Sequence, residues 1–211
     1  DLDEILKLAL VEKPNRVVIT GDLIDKLAWL PQVCERLTTF AKQIPDGVDF
    51  ILGNHEYHHD VNKVLDSLKR NTPMNILVNS NIQIMGGKQP VYIAGVAYDN
   101  DREKEKREAM IDKALSGIPD YAFVILLAHH PEFFEESIER KIPLTLSGHT
   151  HGGQIVFMGM PLVPTGTPYT KGRYVEEQSV CYVNNGTGHW FPIRINCPRE
   201  ITVITFFDGV A

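Results

Sequence analysis

The chain has 211 residues and a mass of 23.8 kDa, 43% of it apolar and 23% charged, a globular balance that excludes a disordered chain. Lysine and arginine number 21 against 27 aspartates and glutamates, and the net charge of −6 argues against a protein built to grip nucleic-acid phosphates. Cys34, Cys181 and Cys197 are odd in number and include no Cys-x-x-Cys pair, so buried free thiols are expected, not a disulfide framework or a thiolate zinc site. A chain of this length buries roughly 70% of its unfolded surface and needs no staples.

The chain opens with Asp1-Leu-Asp-Glu, already inside a helical stripe of Leu2, Ile5, Leu6, Ala9 and Leu10, and these opening residues do not read as a signal peptide. Arg16–Thr20 follows as a short β-branched strand. Val33, Leu37, Phe40, Ala41 and Ile44 repeat the helical spacing, and Val48–Leu52 reads as the next strand. Val61, Val64, Leu65 and Leu68 mark a third helix before a strand at Asn75–Val78. Val91–Val96 is a buried strand, and the charged stretch Asp101–Glu108 opens a solvated helix that continues through Met110 and Leu115. Phe123–Leu127 and Pro143–Leu146 are two more apolar strands. The longest apolar run, Tyr121–Ala128, falls far short of the roughly 18 residues needed to span a bilayer. Beyond Gly152 glycine and proline become frequent, and short strands are expected at Gln154–Phe157, Val180–Val183 and Ile201–Phe207. Alternating α and β followed by an all-β tail predicts a layered α/β core whose sheet is extended by late antiparallel strands.

Four apolar runs end alike. Arg16–Thr20 runs into Gly21-Asp22, and Val48–Leu52 into Gly53-Asn54-His55-Glu56. Phe123–Ala128 runs into His129-His130-Pro131, and Pro143–Ser147 into Gly148-His149-Thr150-His151. Each signal alone reads as a turn or a satisfied strand-end histidine. Together they place Asp, Asn and His just past the carboxyl ends of buried strands, where open α/β sheets put their sites. Such oxygen and imidazole donors suit a borderline divalent ion such as Mn²⁺, Fe²⁺ or Zn²⁺.

On these residues the chain resembles the calcineurin-like metallophosphoesterases, whose pattern is Asp-x-His, Gly-Asp, Gly-Asn-His-Asp/Glu, a strand-end His and Gly-His-x-His. The last four elements stand here as Gly21-Asp22, Gly53-Asn54-His55-Glu56, His129 and Gly148-His149-Thr150-His151. The resemblance implies a four-layer α/β/β/α sandwich of two mixed sheets in a single domain over residues 1–211. It implies two divalent metal ions (Mn, Fe or Zn), with Asp22 bridging them, Asn54, His129 and His149 completing one shell, and His151 serving the other ion. The paired ions would generate hydroxide for in-line attack on phosphorus. His55 would protonate the leaving oxygen, held by Glu56 or a nearby carboxylate. His58, Lys171 and Arg173 are candidate substrate contacts. The loop from Phe157 to Pro164 is apolar, with core packing the safer reading and a lipid-facing surface the other.

Thr150-His-Gly-Gly-Gln154, Tyr169-Thr-Lys-Gly-Arg-Tyr174, Asn185-Gly-Thr-Gly188 and Pro198-Arg-Glu-Ile201 are similar to the membrane-associated branch that includes UDP-2,3-diacylglucosamine pyrophosphohydrolases. The implied partner is a phosphodiester or pyrophosphate substrate, lipid-linked by analogy with that branch, and no nucleic acid is expected. A non-catalytic interaction protein on the same fold, as in a retromer subunit, and a nuclease are the other readings. The family's Asp-x-His strand has no counterpart before the first helix, since Asp1 and Asp3 open that helix and no histidine precedes His55. The domain is therefore expected to be N-terminally incomplete, with the ion at Asp22 and His151 held weakly or not at all. Membrane association would then run only through the absent segment, in a cytoplasmic or membrane-peripheral setting.

Overall fold

The computed structural model describes residues 2–84, 89–97 and 103–207. The first part of the expected solvated helix, up to residue 102, lies outside them. From the amino end, α1 (Leu2–Val11) leads into β1 (Val17–Ile19), α2 (Leu30–Ala41), β2 (Val48–Ile51), the one-turn α3 (Asn54–Tyr57), α4 (Val61–Asn71) and β3 (Asn75–Leu77). The second half contains β4 (Ser80–Ile84), β5 (Val91–Gly95), α5 (Lys104–Leu115), β6 (Phe123–Leu127), α6 (Phe133–Glu139) and β7 (Leu144–Ser147). A hairpin of β8 (Val156–Phe157) and β9 (Met160–Pro161) follows, then β10 (Gly172–Glu176) and β11 (Ser179–Val183).

Two sheets form the middle of the molecule. The first is parallel, in the order β1-β2-β3; the second is mixed, in the order β10-β11-β7-β6-β5-β4. Within the second sheet β5, β6, β7 and β11 run parallel, while β4 and β10 pair antiparallel at its two edges. Inner strands such as β6, Phe-Val-Ile-Leu-Leu, read as continuous apolar runs because both faces are covered. On β2, Val48, Phe50 and Leu52 pack against α1, α2 and α4, while Ile51 points the other way, into the layer shared with Ile93, Ile125 and Leu127. On β6, Val124, Leu126 and Ala128 face α5 and the start of α6, while Ile125 and Leu127 face the first sheet. Successive side chains of a strand point to opposite faces, so one apolar run serves two cores. The result is the α/β/β/α sandwich that the resemblance implies.

Local signals set the element ends. Pro31 occupies the first turn of α2, where a missing N–H costs nothing, and its apolar stripe Leu30, Val33, Cys34, Leu37, Phe40 and Ala41 is buried. Asp60 caps α4 by accepting from the Lys63 amide at 3.1 Å, and Lys69 and Arg70 lie in its last turn. The fully buried Asp49 of β2 ties its neighbours together, accepting from Arg16 at 2.8 Å and from Asn75 at 2.8 Å.

Two expectations change. Ile201–Phe207 is extended but pairs with no described strand, and Ile201, Val203, Ile204, Phe206 and Phe207 are exposed. An alternating pattern supplies faces but not a neighbour, and the outer edge of β1 likewise carries no described strand. The strand expected at Gln154–Phe157 shortens to Val156–Phe157, because Gln154 turns out of a 3₁₀ segment at φ 51°. Strands β4 and β10 and helix α6 have no counterpart in the sequence reading. Among the described residues no helix is long and apolar enough to cross a membrane.

Candidate metal centre

The four strand-end signals come together on one edge of the sandwich. Asp22 follows β1 and Asn54 follows β2, both from the first sheet; His129 follows β6 and His149 follows β7, both from the second. His129 Nε2 lies 3.2 Å from Asp22 Oδ2 and 3.1 Å from Asn54 Oδ1, and His149 Nδ1 lies 3.0 Å from the same Asn54 oxygen and 3.2 Å from His129 Nε2. Asp22, His129 and His149 each offer one donor atom within 4.8 Å of the others, a group that could hold a metal ion.

The backbone is bent to achieve this convergence. Asp22 and His149 both adopt the left-handed region, at φ 56° and 66°, which non-glycine residues adopt only in a minority of cases. Gly21 sits at φ 96°, and a Cβ there would lie 2.5 Å from His129 Nδ1 and 2.7 Å from Gly53. Only glycine lets the β1 loop pass between the two. His129 Nδ1 donates to the Thr20 carbonyl at 2.6 Å, which leaves the Nε2 lone pair facing Asn54 and Asp22. Burial alone would raise the Asp22 carboxyl, but the hydrogen bond and charge of His129 and the amide of His55 outweigh it and hold the group well below the usual carboxylate range. Burial works against a charge on His129, yet Asp22 and the Thr20 carbonyl raise its pKa overall. Oxygen and imidazole lone pairs packed this closely repel one another unless a cation or shared protons lie between them, so the donor set fits a divalent ion.

His55 stands beside this group. Its Nε2 is 3.9 Å from Asp22 Oδ2, its Nδ1 donates to Asp25 Oδ1 at 3.1 Å, and its ring is part exposed. Asp25, three residues beyond Asp22, is the carboxylate that holds it. Glu56, expected as one possible holder, does something else. Its fully buried carboxylate accepts from the backbone N–H groups of Asp22 (3.0 Å), Leu23 (2.7 Å), Ile24 (2.8 Å) and Gly53 (2.7 Å), so it staples the β1 and β2 loops together. Burial raises the Glu56 pKa against the pull of those amides.

The other candidates scatter. The ring of His58 is 5.4 Å from that of His55, while His59 Nε2 donates to the Asp25 carbonyl at 2.9 Å and so secures the loop that carries it. His130 stacks on His149 at 3.7 Å and donates to Glu132 at 3.2 Å. His151, at φ 50°, lies outside the close donor group; burial and then the charge of Arg194 push its pKa down to about 4, against Asp22 and the Gly188 carbonyl. Arg194 Nη2 is 3.2 Å from His151 Nδ1 and donates to the carbonyls of Asn185 (2.9 Å) and Gly188 (2.6 Å), gathering the 185–188 loop around His151. Trp190 covers the same ring at 5.2 Å. Lys171 follows Thr170, whose carbonyl accepts from Thr150 Oγ1 at 2.5 Å, and Arg173 is exposed on β10; neither joins the donor group. Asp25 had a signal in the sequence, a second carboxylate at short spacing from the first; Arg194 and Trp190, in a loop with no motif, had none.

The model of the calcineurin-like phosphoesterase family matches residues 1–153. An uncharacterized metallophosphoesterase of Campylobacter jejuni is 36% identical over 96% of this chain and 53% of its own length. A Danio rerio relative named a transmembrane protein with metallophosphoesterase domain is 30% identical over 96% of this chain and 48% of its own. The chain thus spans about half the length of these relatives. Among solved structures, a sulfate thiohydrolase of Thermus thermophilus, SoxB, aligns with 79% of this chain and 33% of its own at 13% identity and a TM-score of 0.47.

Proposed function

The chain belongs to the calcineurin-like phosphoesterase family, and we propose that it hydrolyses a phosphodiester or pyrophosphate bond with Asp22, Asn54, His129 and His149 holding the catalytic divalent ion. The observation that carries this reading is the meeting of those donors at 3.0–3.2 Å from two separate sheets, with His55 Nε2 facing the same point. The ion, when bound, supplies Lewis acidity toward a phosphoryl oxygen and toward water.

The remaining work falls to the chain's own side chains. Asp25 orients His55 through Nδ1, so that Nε2 carries the proton toward the leaving oxygen. Glu56 fixes the Asp22 and Gly53 loops against each other, holding the ligands of the first sheet at the distance the second sheet requires. His151 is braced by Arg194 and Trp190, and His58 stands beside His55. The ring of four donors is expected to hold one ion tightly, with any second ion at Asp22 and His151 held more weakly. A lipid-linked substrate is the second reading, by analogy with the branch that the motifs from Thr150 to Ile201 resemble.

The test is hydrolysis of bis-p-nitrophenyl phosphate with added Mn²⁺, beside plasmid cleavage under the same conditions. Turnover of the diester without nicking supports the proposal; nicking alone would favour the nuclease, and no turnover of either, or of a pyrophosphate substrate, would favour an interaction role.

A further inference from the structure

The turn that carries His149 and His151 continues into a segment that the proposed chemistry leaves unused. From Gly152 to Thr170 the chain holds no charged residue, in a protein whose charged residues make up 23% of the whole. Its first part is the β8–β9 hairpin, closed by Met158 and Gly159, both at positive φ (49° and 83°). Core packing was the expected place for these side chains. They are instead among the more exposed large apolar side chains of the described residues: Phe157 at 60%, Met158 at 83%, Met160 at 65% and Leu162 at 61%. The backbone beneath them is firmly tied. Leu162 donates to the Ile155 carbonyl at 2.8 Å, and Val156 donates to the Ile195 carbonyl at 2.9 Å. Fully buried Gln154 donates to the carbonyls of Phe191 and Ile193, each at 2.9 Å. Ile193 and Ile195, also exposed, extend the apolar surface on the neighbouring strand-like segment.

We propose that the β8–β9 hairpin is a membrane-docking finger that seats Phe157, Met158, Met160 and Leu162 in the interface of an anionic lipid bilayer beside the metal centre. A folded element that projects apolar side chains needs a partner, since such patches on soluble surfaces mark interaction sites. Two features select a bilayer over a protein. A hairpin with two residues per strand, even with Ile193 and Ile195 beside it, offers less than the ~800 Å² per partner of a stable protein interface, yet it suits insertion to a depth of ~5–10 Å. The charge-free segment also ends in Lys171 and Arg173, and both its ends are tied to one turn: Gly153 packs beside Pro161 and Val163, and Thr150 holds Thr170. Lys171 and the exposed Arg173, the first charged residues after this segment, fit acidic headgroups, against an overall charge of −6.

The test is co-sedimentation of the 211-residue chain with vesicles of phosphatidylcholine containing phosphatidylglycerol, and with phosphatidylcholine alone. Binding is read without turnover, so its failure is separate from failure of the phosphoesterase reading. Wild-type chain should pellet with the anionic vesicles and less with the neutral ones. Met158→Asp/Met160→Asp should reduce pelleting by about tenfold or more, with unchanged far-UV circular dichroism and unchanged diester hydrolysis. Both sites are exposed, and Asp tolerates the left-handed position of Met158, so the variant should fold; Met160→Asp alone is the control if it does not. Wild-type chain that stays in the supernatant, or a variant that pellets equally, would overturn the proposal. So would a variant whose only change is conversion of a dimer to a monomer in sedimentation velocity, since the patch would then serve a second copy of the chain.

Discussion

His55 and Glu56 are adjacent in sequence and do unrelated work. The His55 imidazole reaches the donor group from one side and is held from the other by Asp25. His55→Ala is therefore expected to slow diester hydrolysis by roughly 10²–10⁴-fold while metal content is retained, and an unchanged rate would remove the histidine from the mechanism. Glu56→Gln keeps the shape but replaces one acceptor oxygen by a donor that faces backbone N–H groups. Stability should fall by about 1–3 kcal/mol, read from the urea midpoint, with weaker metal binding because both ligand loops lose their common anchor. A wild-type midpoint would contradict the stapling role. The buried cysteines behave as small apolar residues: burial pushes the Cys181 thiol up to about 12. Ellman's reagent at about pH 8 should find Cys181 unreactive in the folded chain and reactive only after denaturation.

At the scale of elements, the two sheets meet closely where β5 passes β3. A Cβ on Gly95 would stand 2.5 Å from Leu77 Cβ and 2.7 Å from Ile51 Cγ2. Gly95→Val should push the sheets apart at a cost of about 1–3 kcal/mol, seen as a lowered Tm; a wild-type Tm would show that this contact does not set the spacing. The helices α1, α2 and α4 and the strands β2, β5, β6 and β7 were legible in the sequence, because their apolar residues repeat at 3.6 or run unbroken between glycines. Strand β4 was not, since Ser80-Asn-Ile-Gln-Ile alternates like an exposed turn and its partner β5 alone gives it meaning. Strand β10 (Gly172–Glu176) is mostly polar and exposed and is held by its pairing to β11. Ile201–Phe207 shows the reverse error, a strand-like pattern with no strand beside it. Short strands are decided by neighbours that a local pattern does not name.

Across the whole molecule, the candidate site is better legible than its surroundings. Each donor follows an apolar run, three of them through a glycine, a local signal, and the sandwich brings the four runs to one edge. Arg194, Trp190 and Gln154 hold the 185–195 segment against His151 and its turn through contacts spanning many residues of sequence, which no local window contains. The apolar hairpin was visible as composition, but its exposure depends on what the rest of the chain leaves uncovered. The central claim is that Asp22, Asn54, His129 and His149 form one ion-binding ring contributed by two sheets. Its most direct test is metal analysis of the purified 211-residue chain after dialysis against Mn²⁺, in wild type and in Asp22→Ala and His149→Ala. One tightly held ion per chain is expected in the wild type, with loss of that ion in both variants; full retention of metal by both would show that these side chains are not its ligands.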